Sequence, residues 1–314
     1  MSTPARIVSL LPAATEMVCA LGAGQQLVGR SHECDFPEEV ARVPAVTSAR
    51  IDSGQPSGAI EAAVQAQRAA GQSLYQVDAA KLRELRPDLI VTQAQCDVCA
   101  VSPADVELAL TGWPGPRPEV LTLAPTRLAD LWTDLRRLGI ALGLPDEGRA
   151  AIAPLKARVV AIIERVALLP KHPGVACLEW LDPLMGAGNW IPELVALAGG
   201  HPLFGEPGQH SDWITWENLV LQNPTVIVAL PCGFDLARTR RELAPLATRP
   251  EWPTLRAVKT RRVYIADGNA YFNRPGPRLV DSLELLAELL HPELFPQPKY
   301  RGTGWEAWPA NADA

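Results

Sequence analysis

Two segments of this chain repeat one local phrase. Residues 82–92 read as a helix end, then Arg86-Pro87-Asp88, then an apolar strand. Residues 219–230 read as a helix end, then Asn223-Pro224-Thr225, then another apolar strand. A helix halted at a proline and followed by a short, continuously apolar strand is the unit of a crossover connection. Such connections build parallel sheets buried on both faces. The repetition therefore predicts two similar α/β lobes.

The remaining pattern fits that frame. Strand signals fall at 6–11, 27–29, 88–92 and 120–123, and again at 174–178, 225–230 and 262–265. Helical periodicity fills 15–21, 79–85, 127–142, 190–197, 215–221 and 278–290. Asp78 is placed to cap the 79–85 helix, because its carboxylate can accept first-turn N–H groups. Residues 146–168 read as one uninterrupted helix with the apolar stripe Ile152, Leu155, Val159, Ile162 and Val166. The expected architecture is two Rossmann-like lobes, 1–145 and 170–298, with parallel sheets. A single long rigid helix at 146–169 joins them, a ligand cleft lies between them, and a tail follows at 299–314.

Composition narrows the function. The 314 residues carry a formal charge of −6, with 47 % apolar and 20 % charged residues. That balance excludes an extended disordered chain and the basic face of a general nucleic-acid binder. No run is long and apolar enough for a membrane span. No leader is visible either, so the sequence reads as a cytoplasmic monomer with reduced thiols. A periplasmic or lipid-anchored location is the alternative if the chain has been trimmed. Enzyme signatures such as Gly-x-Ser-x-Gly, His-Glu-x-x-His and the phosphate loop are lacking, so a binding protein is expected, not an enzyme.

In open parallel sheets, ligands sit outside the carboxyl ends of the strands. Those ends carry Ser31 and His32, then Gln95 and Cys96, in the first half. In the second half they carry Trp180 and Asp182, Phe234, and the run Tyr271-Phe272-Asn273-Arg274. Tyr75 and Trp190 join the candidate ligand-binding set, although Trp190 reads equally well as core. Aromatic residues are only 6 % of the chain, so their gathering at these ends points to a large, partly apolar ligand. His210 precedes a helix and is placed to reach the same cleft.

The opening stretch 6–16, the later Gly22 with Val28-Gly29, the phrase Leu85-Arg86-Pro87-Asp88-Leu89-Ile90 and the long central helix resemble the iron-siderophore and cobalamin periplasmic-binding family. The likeness runs to about Pro292. Within the family the chain is most similar to cobalamin-binding proteins, in a leaderless subgroup with a Cys-rich phrase. The resemblance implies two lobes bridged by a rigid helix and a corrinoid or related metal chelate, with ferric siderophore or haem as alternative ligands. It also implies an ABC permease as partner, docked through one glutamate per lobe. Glu217 fits the second-lobe position. The first-lobe equivalent falls near Ala80, with Asp78 two residues away.

His32-Glu33-Cys34 and Cys96-Asp97-Val98-Cys99 follow neighbouring strand ends. His32, Cys34, Cys96 and Cys99 together offer a tetrahedral zinc or iron set. The same residues could form a redox-active pair, ligate the metal of a bound chelate, or simply be small buried side chains. An intracellular metal- or redox-dependent module is therefore the second functional reading. No cofactor is required by the first.

Overall fold

The computed structural model describes residues 4–95 and 100–308. Cys96 and Cys99 lie outside the described residues. The described residues of Met1–Gln55, Ala59–Pro125 and Ala129–Leu155 form one compact unit. Those of Pro56–Gly58, Thr126–Leu128 and Lys156–Ala314 form a second.

The first unit holds strands β1 (Ile7–Ser9), β2 (Leu27–Arg30), β3 (Thr47–Ala49), β4 (Tyr75–Val77), β5 (Leu89–Gln93) and β6 (Glu119–Leu123). Helices α1 (Pro12–Ala20), α2 (Ser57–Ala69), α3 (Ala79–Leu85), α4 (Pro103–Ala109), α5 (Leu128–Ala141) and α6 (Pro145–Ala150) alternate with them. The main sheet has the order β2-β1-β5-β6, and every pair is parallel. The strand order reverses at β1, which is the topological position where ligands gather in open sheets. All five residues of β5 are buried, as a central strand covered on both faces requires. Val8, Leu10, Leu82, Ile90 and Val106 form its core. The short β3 and β4 make a separate antiparallel pair, with Thr47 opposite Val77.

α7 (Ile152–Val166) is the long helix, and the chain passes from the first unit to the second within it. It begins at Ile152, not at 146, because of Pro154. A proline has no N–H for the carbonyl four residues back, so it is tolerated only in a helix's first turn. Residues 145–150 close as the separate α6, and Ala151 caps it by donating to the Glu147 carbonyl.

The second unit holds β7 (Gly174–Leu181), β8 (Leu184–Gly186), α8 (Ile191–Leu197), β9 (His201–Pro202), β10 (Asp212–Trp213), α9 (Trp216–Gln222), β11 (Val226–Ala229), α10 (Leu236–Ala247), α11 (Arg256–Lys259), β12 (Val263–Ala266), α12 (Leu279–Leu290) and β13 (Trp305–Ala307). The sheet order is β10-β8-β7-β11-β12-β13, with β9 beside β7. β9, β7, β11 and β12 run parallel, while β8, β10 and β13 are antiparallel additions. β13 places the C-terminal segment against β12, so that stretch of chain is docked. Tyr300 fixes it further: its hydroxyl donates to Glu284 at 2.6 Å, and its backbone N–H donates to Glu288 at 3.0 Å.

The repeated phrase has one geometry. Arg86 caps α3 at φ 43° and donates to the Leu82 carbonyl, and Asn223 caps α9 at φ 43° and donates to the Leu219 carbonyl. A left-handed residue reverses the chain after each helix. The proline that follows prevents the helix from resuming and delivers the chain to a buried strand. Among the described residues no helix is long and apolar enough to cross a membrane.

Candidate functional site

In the first unit the site is built at the end of β2. Ser31 is buried; its N–H donates to the Ser9 carbonyl at 2.8 Å, which ties the loop to the end of β1. His32 follows and is half-buried. Its backbone N–H donates to Thr47 Oγ1 at 3.0 Å, and its Nδ1 lies 2.8 Å from the same oxygen. Thr47 Oγ1 in turn donates to Ser31 Oγ at 3.2 Å. Burial, and then the Arg30 guanidinium, hold the His32 imidazole below its ordinary pKa. The Tyr75 ring, on β4, stands 5.9 Å from the His32 ring, tilted by 48°. The Tyr75 hydroxyl donates to Glu33 Oε1 at 3.2 Å. Gln95 is half-buried just past β5. Thr47 escapes a reading of the sequence, because nothing in the apolar pattern marks a three-residue strand as the partner of a loop sixteen residues earlier.

Cys34 is buried, and Thr15 Oγ1 donates to its Sγ at 3.0 Å. Among the described residues no group of three or more His, Cys, Asp and Glu side chains could hold a metal ion. The expected His32, Cys34, Cys96 and Cys99 set depends on two residues outside that range.

In the second unit the candidates separate into two groups. Trp180 lies within β7, which runs on to Leu181, so it is a strand residue and not a loop residue. It is half-buried, packs 5.1 Å from the Phe234 ring, and leaves its buried Nε1 without a hydrogen-bond partner. Asp182 is exposed at the turn into β8. Tyr271 is half-buried, edge-on to Tyr300 at 5.8 Å, and burial raises its hydroxyl pKa. Asn273 is half-buried and donates to the Leu230 and Gly268 carbonyls at 3.3 and 3.0 Å.

The other group is interior. Trp190, Phe234, Phe272 and Arg274 are 4, 2, 0 and 4 % exposed. Phe234 carries the Arg238 guanidinium 3.7 Å above its ring. Phe272 closes a π-helical turn over Gly268–Phe272 that directs its ring inward. Arg274 donates to Asn269 Oδ1 at 3.0 Å. Phe234 packs against Trp180 of β7, and Phe272 and Arg274 belong to the segment that carries Tyr271 and Asn273. The β9–β10 loop, with none of these residues in its lining, opens a surface cavity of about 350 Å³ lined by Glu206, Gln209, His210 and Asp212 among others. His210 is exposed there.

Glu217 is exposed in the first turn of α9. Its own backbone N–H and the Thr215 hydroxyl hold its carboxyl below the usual range, so it is charged at neutral pH.

A model of the periplasmic binding protein family matches residues 7–270. The chain belongs to the periplasmic binding protein family. Among relatives of this periplasmic binding protein, an uncharacterised ABC transporter substrate-binding lipoprotein of Bacillus subtilis is 24 % identical, across 93 % of the chain and 82 % of that protein. A vitamin B12-binding protein of Yersinia pestis is 22 % identical, across 90 % of the chain and 85 % of that protein. The crystal structure of a periplasmic haem-binding protein from Pseudomonas aeruginosa superposes with a TM-score of 0.71 at 23 % identity, covering 92 % of this chain and 93 % of that one. These relatives are binding proteins, and they are periplasmic proteins or a lipoprotein. That overturns the cytoplasmic location expected from the sequence: the short apolar stretch before Pro12 was a poor guide to compartment.

Proposed function

We propose that this periplasmic binding protein is the substrate-binding component of an ABC uptake system, periplasmic or lipid-anchored, and that its ligand is a corrinoid. The observation that carries the ligand class is the His32–Tyr75 pair. Two half-buried rings 5.9 Å apart stand at the carboxyl end of a parallel strand, next to the point where strand order reverses. Flat rings with partly exposed faces suit a broad macrocycle and gain little from a small polar solute. Trp180 and Tyr271 add half-buried aromatic surface on the second unit, Gln95 offers an amide group to a polar periphery, and Asn273, whose N–H groups are held by the Leu230 and Gly268 carbonyls, offers its amide oxygen.

The vitamin B12-binding relatives support the corrinoid choice, and haem is the alternative macrocycle. Glu217 is the docking carboxylate for permease arginines. Asp78 is a poor counterpart, since its Oδ1 accepts the Lys81 N–H at 2.9 Å as the cap of α3.

Calorimetric titration of the purified protein with cobalamin, haem and a ferric siderophore tests the reading. A saturable heat with cobalamin supports it. Binding of the siderophore with neither macrocycle bound overturns it.

A further inference from the structure

We propose that the amino ends of the parallel strands in the second unit form a basic surface that holds the protein on membranes rich in anionic phospholipid. The inference goes beyond the uptake reading and takes from it only the periplasmic or lipid-anchored location.

The argument starts from charge. Between the start of α10 and the start of β12, residues 236–262 hold eight basic residues against two acidic ones, in a chain whose total is −6. Four of the eight are engaged within the unit. Arg238 lies over the Phe234 ring, Arg249 lies 5.0 Å from the Trp216 ring, Arg240 pairs with Glu306, and Arg262 donates to the Leu290 carbonyl at 2.6 Å. Arg256, Lys259 and Arg261 are exposed, and their side chains have no hydrogen-bond or ion-pair partner among the described residues. Arg261 stands at φ 56°, a backbone region that favours glycine, so the chain carries strain where it presents this guanidinium.

The fold adds a fourth cation and sets all four along one edge. Val175 of β7 pairs with Val226 of β11, and Ile227 pairs with Val263 of β12, so the three strands start side by side, ~4.8 Å apart. The Thr225 N–H donates to the Gly174 carbonyl at 2.9 Å, the Ala257 N–H to the Pro224 carbonyl at 3.0 Å, and the Arg262 N–H to the Ala257 carbonyl at 2.7 Å. Those bonds lay α11 across the strand starts, close to Lys171, which is exposed three residues before β7. Leu168, three residues further back, is 92 % exposed. Acids on the neighbouring segments are Glu251, which takes the Trp216 indole N–H at 2.9 Å, and Glu293, 3.8 Å from His291 Nδ1. Trp180 and Tyr271 stand at the opposite, carboxyl ends of β7 and β12, so contact through this edge leaves them clear. Four long, flexible cations spread over two segments match a surface that presents many phosphates, and an exposed leucine beside them suits the boundary between headgroups and acyl chains. Attraction of this kind fades beyond a Debye length.

The test is co-sedimentation of the purified protein with vesicles of phosphatidylcholine alone and of equal parts phosphatidylcholine and phosphatidylglycerol. Wild type is expected to sediment with the anionic vesicles and not with the neutral ones, and to leave them in about 1 M salt, where the Debye length is ~3 Å. The combined variant Lys171→Gln, Arg256→Gln, Lys259→Gln, Arg261→Gly is expected to bind at least ~100-fold more weakly, at about 5-fold per cation. Its unchanged thermal melt certifies the fold. Should the combined variant not fold, Lys259→Gln alone, a single exposed side chain, carries the test with a loss of about 5-fold. Equal binding to both vesicles, binding to neither, or undiminished binding by the variants overturns the inference. So does duplex DNA held as tightly through the same four residues. Corrinoid titration is a separate readout: a protein that binds anionic vesicles but no corrinoid loses the uptake reading and keeps this surface, and the reverse result keeps the reading and loses the surface.

Discussion

Trp190 donates its indole N–H to the Phe272 carbonyl across 2.8 Å, joining the start of α8 to the end of the π-helical turn. Both residues are nearly inaccessible, so the bond is an internal brace for the loop that carries Tyr271 and Asn273. Trp190→Phe keeps most of the apolar bulk and removes the donor, leaving the carbonyl buried without its partner. Urea denaturation should show a loss of about 1–3 kcal/mol. An unchanged midpoint would mean that the brace carries no weight.

The matching caps Arg86 and Asn223 should respond differently to glycine. A left-handed backbone costs a side-chain-bearing residue about 1–2 kcal/mol, less for asparagine. Arg86 is exposed, so Arg86→Gly relieves that cost and should stabilise by up to about 1 kcal/mol. Asn223 Oδ1 also accepts the Arg256 N–H at 2.8 Å. Asn223→Gly loses that bond and should come out neutral or destabilised. In thermal melts Arg86→Gly should rise, and Asn223→Gly should not.

Asp134 on α5 should make stability fall with rising pH. The residue is 3 % exposed, its Oδ2 has no partner, and burial pushes its pKa from 3.8 up to about 6 against the opposing pull of Arg137. Below pH ~4 the carboxyl is protonated in both folded and unfolded chains and costs nothing. As pH rises through about 6 the folded state is forced to ionise a buried group, and stability is lost, by up to about 3 kcal/mol. The stability difference between wild type and Asp134→Asn, followed from pH 4 to 7.5 by denaturant titration, should shift by that order in favour of the variant. Parallel pH profiles would contradict it.

Much of the fold was legible because buried parallel strands are written as continuous apolar runs. Leu89–Gln93 and Val226–Ala229 are buried throughout, and the Pro87 and Pro224 boundaries stand where the phrase puts them. Helix continuity was less legible, since the apolar stripe from Ile152 to Val166 marks only α7, while the break before it is set by Pro154 acting on the backbone. α10 was missed because its run is polar and arginine-rich overall and contains Pro245, which reads as a helix stop, although Thr239, Leu243 and Leu246 line one buried face. At the site, chain order located the loops but not which way their rings point. Phe272 sits one residue from Tyr271, yet one is interior and the other half-exposed, because the π-helical turn rotates them apart. The role of Thr47 needs β3 to pass beside the His32 loop, a tertiary fact with no local signature.

Glu217 separates docking from binding. It is exposed, so Glu217→Lys should leave stability within about 0.5 kcal/mol and ligand affinity unchanged. Ligand uptake by the native host should be sharply reduced, because charge reversal sets like against like at a basic permease surface. Normal uptake with the variant would remove Glu217 from the docking surface.

The most direct test of the account is calorimetry of the purified, ligand-free protein against a corrinoid, with a hexadentate ferric siderophore as the comparison. A saturable one-to-one heat with the corrinoid and none with the siderophore is the predicted result. A siderophore that binds while the corrinoid does not would contradict it.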